Sequence, residues 1–143
     1  MLKKVQGIIP PLTTPFTESG DVYEQGLRRL VDFQIEKGVH GLFICGTYGS
    51  GPIMTVEERK QVHEIVVDQV RGRLTVIAHV GTPSTEQSVA LARHAQRAGA
   101  AHGLLEHLEP RRLGQEVVGP SLHRVDGRLH LFFADVVPQL LAH

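Results

Sequence analysis

Hydroxyls and glycines cluster in one stretch of this chain, Gly46-Thr47-Tyr48-Gly49-Ser50, directly after the apolar run Gly41-Leu42-Phe43-Ile44-Cys45. A threonine hydroxyl can relay a proton, and backbone amides freed by a glycine-punctuated turn can hold a carboxylate or an oxyanion. A loop of this kind between a buried strand and a helix is where parallel α/β proteins keep their ligand sites. Thr14 follows a second apolar segment, Ile8-Ile9-Pro10-Pro11-Leu12, and Thr82 follows a third, Val76-Ile77-Ala78-His79-Val80-Gly81. If all three strand ends share one face, Thr14, Thr47, Tyr48 and Thr82 converge there. A phosphate-binding P-loop fits poorly, because no Gly-Lys-Ser/Thr follows Gly46 and Pro52 interrupts the turn.

Other reactive side chains read as structural. Cys45 ends a strand and has no assignable partner histidine, so it is expected to be a small buried residue rather than a nucleophile. His79 is expected to be a core histidine, with pocket lining as the alternative. Glu57-Glu58-Arg59-Lys60 reads as a solvated first turn whose acids suit the helix dipole. His102 and His107, with Glu106 and Glu109 nearby, have metal-ligand types, but scattered histidines in a histidine-rich tail produce such spacing by composition. No metal and no other cofactor is expected.

The elements that must position the loop are legible as a repeat. Gly46-Thr47 and Gly81-Thr82 each open a loop after a glycine and an apolar run, one strand-plus-helix length apart. Thr55 with Glu58 and Ser84 with Gln87 have the spacing of capping boxes, which satisfy the free amides of a helix's first turn. Gly38, Gly72 and Gly99 mark helix ends, each after a cation near the last turn. Apolar residues recur at helical spacing in Leu27, Leu30, Val31 and Ile35, in Val62, Ile65, Val66 and Val70, and in Val89, Ala92 and Ala95. Strands are expected near 7–12, 41–45 and 74–80, and helices near 22–37, 56–71 and 85–98. Alternation of this kind argues for a parallel α/β sheet, and the absence of a nucleotide fingerprint after the first strand favours a barrel over an open sheet.

The Gly46–Ser50 loop, together with Ile8-Ile9-Pro10-Pro11-Leu12-Thr13-Thr14-Pro15-Phe16, resembles the dihydrodipicolinate synthase / N-acetylneuraminate lyase family of pyruvate-dependent class I aldolases over residues 1–100. The resemblance implies a partial (β/α)8 TIM barrel of about three βα units. It also implies a lysine Schiff base with pyruvate or another 2-keto acid, through which a C–C bond is made or broken. By resemblance Thr47 is the proton-relay hydroxyl, and the backbone N–H of Tyr48 faces the substrate carboxylate. Tyr48 stands where the family has threonine, and Ser50 where it has glutamate. The family's Schiff-base lysine lies on the sixth strand, past His143, and its relay tyrosine, on the fifth strand, is absent as well. The four lysines present, Lys3, Lys4, Lys37 and Lys60, do not match it. The expectation is a truncated lyase, inactive alone; the alternative is a non-catalytic fragment or partner subunit with a structural role.

Residues 101–143 depart from this pattern and form a second region. Thr, Ile, Lys and Tyr account for 21 of the first 100 residues and for none of the last 43, a shift too large for uniform composition. Either the tail is a frameshifted product of a GC-rich gene, or it is a divergent natural C-terminus. The expectation for 104–125 is irregular structure, with a short apolar helix over 131–141 broken by Pro138.

Bulk properties narrow the partners. The chain has 143 residues, against about 250 for a complete barrel, and a formal net charge of +0. No basic patch or stripe points to nucleic acid or to a membrane surface. No apolar run is long enough to span a bilayer, and Pro10 and Pro11 interrupt any signal-peptide core. A single cysteine fits a reducing compartment, so a cytoplasmic location is expected. An incomplete barrel leaves a sheet edge and apolar helix faces uncovered, which predicts self-association.

Overall fold

The computed structural model describes residues 5–100 and, further on, the backbone of 102–105, 122–125 and 128–132. The elements run α1 (Glu24–Glu36), β1 (Gly41–Ile44), α2 (Val56–Val70), β2 (Thr75–His79), α3 (Thr85–Ala98), β3 (His102–Leu105), β4 (Leu122–Val125) and β5 (Arg128–Phe132). A short 3-10 turn, Gly51–Ile53, precedes α2.

β1, β2 and β3 are parallel neighbours, with Ile44 opposite Ala78 and Ala78 opposite Gly103. Helix α1 lies against α2 and α2 against α3, so the three helices cover one face of the sheet. That arrangement belongs to a barrel wall, since a doubly wound sheet places helices on both faces. The core forms between sheet and helices from Leu27, Val31, Leu42, Ile44, Val62, Val66, Val70, Val76, Ala78 and Leu91, all 4% exposed or less. Most of the expected helical stripes supply it. Leu91 was not among those positions and is fully buried.

Capping explains where the helices begin. Thr55 Oγ1 accepts from Glu58 N at 3.2 Å, while the Glu58 carboxylate accepts from Thr55 N at 2.7 Å, completing the box. Thr55→Ala is expected to cost about 1 kcal/mol, read as a lower urea midpoint at unchanged m-value. At α3 the expected box is only half made: Ser84 Oγ accepts from Gln87 N at 3.4 Å. The amide of Ser84 instead donates to Thr82 Oγ1 at 3.1 Å. Gly38, Gly72 and Gly99 end the helices with φ of 73°, 75° and 98°.

The segment expected as a first strand near 7–12 lies beside β1 but forms a single bridge, Pro11 to Phe43. Pro10 O accepts from Phe43 N at 3.0 Å and Leu12 N donates to Phe43 O at 2.8 Å. Pro10 has no N–H to give to β1, so the ladder stops there.

The tail corrects a second expectation. Segments 102–105 and 122–125, expected to be irregular, are β3 and β4, and 128–132 is β5. β3 extends the parallel sheet as the repeat requires. β5 pairs antiparallel with β3, and β4 with β5, giving the order β1-β2-β3-β5-β4. Positions 131 and 132, expected to begin an apolar helix, lie in a strand, and the rest of that helix lies outside the described residues. So do the side chains of the His102/His107/Glu106/Glu109 group.

Candidate functional site

The loop after β1 is a closed structure. Gly51 N donates to Gly46 O at 3.0 Å and Ser50 N to Thr47 O at 3.1 Å. Thr14 Oγ1, itself buried, donates to Gly49 O at 2.8 Å and pins the loop from the N-terminal segment. A Cβ at Gly49 would stand 2.7 Å from Leu12 O, which explains why this position has no side chain. Cys45 and Ser50 bracket the loop with left-handed backbone, φ 58° and 62°. Such conformations cost about 1–3 kcal/mol each in non-glycine residues and persist where the surroundings enforce them, commonly at ligand sites.

Two of the four hydroxyl residues expected to converge are spent on structure. Thr14 holds the loop. Thr82 Oγ1 donates to Ser84 O at 2.6 Å and meets Ser88 Oγ at 3.1 Å, which fixes the approach to α3. The other two, Thr47 and Tyr48, are exposed at the loop's tip, with Tyr48 at 66%. Among the described residues nothing hydrogen-bonds the Thr47 hydroxyl. The loop therefore presents Thr47 and Tyr48 at its tip from a fixed base.

Beneath the loop lies a buried polar cluster. Arg59, read from sequence as part of a solvated turn, is 2% exposed. Its Nη1 donates to Gly81 O at 2.9 Å, its Nη2 donates to His79 O, and it contacts the Cys45 thiol. The helical phase contains the missed signal: Arg59 shares its stripe with Val62 and Val66. Burial pushes the Cys45 thiol up to about 12, partly opposed by the Arg59 charge, so the cysteine is an inert core group. His79 is buried, 6.2 Å from the Phe43 ring in edge contact, as a core histidine should be.

His63 was not singled out from sequence and is fully buried. Among the described residues neither of its ring nitrogens has a hydrogen-bond partner, and the His94 ring lies tilted at 35° with its centroid 6.0 Å away. Burial, reinforced by the charge on Arg59, pushes its pKa down to about 3. Among the described residues no three His, Cys, Asp or Glu side chains gather as a metal site would need. Nor is any described helix long and apolar enough to cross a membrane.

The geometry can be set beside known proteins. The Dihydrodipicolinate synthetase family matches over residues 4–110, a span that includes β3. The N-acetylneuraminate lyase of Citrobacter koseri is 44% identical over 99 residues, 69% of this chain and 33% of that protein. A prophage protein of the dihydrodipicolinic acid synthase family from E. coli K12, solved in complex with pyruvate, has a TM-score of 0.64 at 38% identity, covering 66% of this chain and 32% of that one. Dihydrodipicolinate synthase from Aquifex aeolicus aligns with a TM-score of 0.68 at 36% identity, over 77% of this chain and 38% of its own. The chain thus spans about a third of the length of the curated relatives it matches. Matched in sequence and in the parallel β1-β2-β3 wall with its helices on one face, the chain belongs to the dihydrodipicolinate synthetase family and carries part of its (β/α)8 barrel.

Proposed function

We infer that this chain supplies the 2-keto-acid end of a Schiff-base lyase site and does not complete the reaction alone. Thr47 takes the role of proton-relay hydroxyl, and the backbone N–H of Tyr48 that of carboxylate donor. One observation carries this reading: Thr47 and Tyr48 stand exposed at a strand's C-terminal end, on a loop pinned by Thr14 and closed by the Gly51–Gly46 bond. A family member solved with pyruvate supports a 2-keto acid as the ligand class.

The imine needs an amine kept neutral in an apolar pocket. Lys37 is exposed at the end of α1, with Nζ 5.2 Å from the Phe33 ring. Lys60 pairs with Glu57 at 2.7 Å. Neither lysine therefore stands in the apolar pocket that imine formation requires. By resemblance the Schiff-base lysine belongs to a later strand, so the chain as given binds the keto acid without forming the imine.

Treating the protein with pyruvate and borohydride tests this. The expected mass spectrum shows no reduced lysine adduct, while Thr47 and Tyr48 amide resonances move on adding pyruvate. An adduct would make the chain an active lyase. No adduct and no movement would favour the second reading, a non-catalytic fragment or partner subunit. Incomplete closure of the barrel favours self-association, in which a second copy covers the open wall; light scattering at the monomer mass across concentration would overturn it. A cytoplasmic setting accords with the reduced, buried Cys45.

A further inference from the structure

We propose that Arg59 is a positioning residue, whose guanidinium locks the loop carrying Thr47 to the loop that follows β2. Ile44 and Ala78 are register partners, so Cys45 and His79 are the next positions along two adjacent strands. The guanidinium sits across both ends. It donates to the carbonyls of His79 and Gly81 on one side and touches the Cys45 thiol on the other. Cys45 opens the Thr47 loop with φ 58°, and Gly81 immediately precedes Thr82. One side chain from α2 thereby meets the root of each loop.

The chemistry of the contact points the same way. No carboxylate among the described residues pairs with Arg59, and backbone carbonyl dipoles hold the charge instead. A buried cation is an inefficient way to fill space, since an apolar side chain of similar volume is often as stable. What only arginine offers is a rigid planar fork that serves two carbonyls at fixed geometry, and lysine, a point charge, cannot reproduce it. As a device for orienting Thr47 toward a ligand, this rests on the reading of the site given above. As a link between two loops it stands on the contacts themselves.

Amide hydrogen exchange on the full chain tests the link, with Ser50, Gly51 and Thr82 as reporters because the first two amides are hydrogen-bonded inside the Thr47 loop and the Thr82 amide to Ser88 Oγ on α3. In the wild type these amides are expected to be protected. In Arg59→Met they lose at least about tenfold more protection, the equivalent of about 1.4 kcal/mol, than the amides of Val66 and Val70 in the same helix. Val62→Ala, which removes buried side chain from α2 one turn beyond Arg59, provides the comparison and is expected to lower protection evenly. Arg59→Lys is expected to fall between wild type and Arg59→Met. Should Arg59→Met fail to fold, the same selective loss is read in Arg59→Lys. Unprotected reporters in the wild type, or a loss no more selective than in Val62→Ala, would overturn the proposal.

A pyruvate titration on the same samples separates it from the site reading. Wild-type shifts at Thr47 and Tyr48 with at least about tenfold weaker binding in Arg59→Met would extend the role to ligand positioning. Absent wild-type shifts remove the site reading, and the exchange comparison still decides the role of Arg59.

Discussion

Gly51→Ala is expected to disrupt the loop after β1 and to lower stability by about 3 kcal/mol or more. A Cβ at this position would lie 1.7 Å from the carbonyl oxygen of Cys45 and 2.6 Å from its carbonyl carbon. Neither atom can retreat. Cys45 is fixed in the left-handed region at φ 58°, and the Gly51 amide is committed to Gly46 O at 3.0 Å. Accommodating one methyl group therefore means opening the loop, losing the Thr14 anchor and releasing Thr47. A urea titration reads the loss as a lower midpoint. Gln61→Ala, on the exposed side of α2, serves as control and is expected to shift stability by no more than about 0.5 kcal/mol. A Gly51→Ala protein with a wild-type midpoint would mean that the loop does not close on Cys45 as described.

Acid lability is expected to originate at His63. Its ring is fully buried, its two nitrogens have no partners among the described residues, and Arg59 already places a positive charge beside it. His94 faces it from α3, with its own ring nitrogen on Glu64 at 2.9 Å, and His79 from β2; among the described residues no carboxylate bonds the His63 ring to compensate a proton there. With a folded pKa near 3 and an ordinary value of 6.5, the unfolded chain takes up the proton first as pH falls. Stability from the neutral ring is therefore complete at neutral pH and is lost progressively below pH 6.5. At pH 5 the folded ring is still neutral, so the loss between pH 7 and pH 5 is set by the unfolded state alone, about 2 kcal/mol.

His63→Leu removes the titrating group and its two unpartnered nitrogens while keeping apolar bulk. Its stability advantage over wild type is expected to grow by about 2 kcal/mol between pH 7 and pH 5. Urea midpoints of both proteins across that range measure it, and other titrating groups cancel in the difference. Parallel pH profiles would show that His63 finds a proton acceptor or is not buried in solution.

The framework was largely readable before the structure. Thr55, Glu58 and Gly72 frame α2, and the strands over 41–44 and 75–79 lie within the two apolar, glycine-bounded runs. Each of these signals is local, because a cap or an apolar stripe acts over one or two turns of chain. Misreadings arose where a distant partner decides the outcome. Segment 7–12 has strand composition, yet its pairing is limited to one bridge by the N–H that Pro10 lacks opposite β1. Strand β4 has no clean alternation, and it is held by pairing with β5, which in turn pairs with β3.

The site divides along the same line. Its loop was visible as Gly46-Thr47-Tyr48-Gly49-Ser50, because glycines and hydroxyls after an apolar run carry their own meaning. The residues beneath it were not. Arg59 and His63 were passed over because charged and titratable side chains on a helix are ordinarily solvated, and their helical phase was outweighed by their type. Residue chemistry at short range was enough to determine the strand–helix alternation, the helix boundaries, the family and the Thr47 loop. The guanidinium bridging the ends of β1 and β2, the unpartnered His63 ring, the Thr14 anchor and the contact between Gly51 and Cys45 O all join residues far apart in the chain or depend on its fold. They arise only when the strands lie side by side and α2 closes over them, since burial and hydrogen-bond partnership belong to the folded arrangement and not to any residue alone.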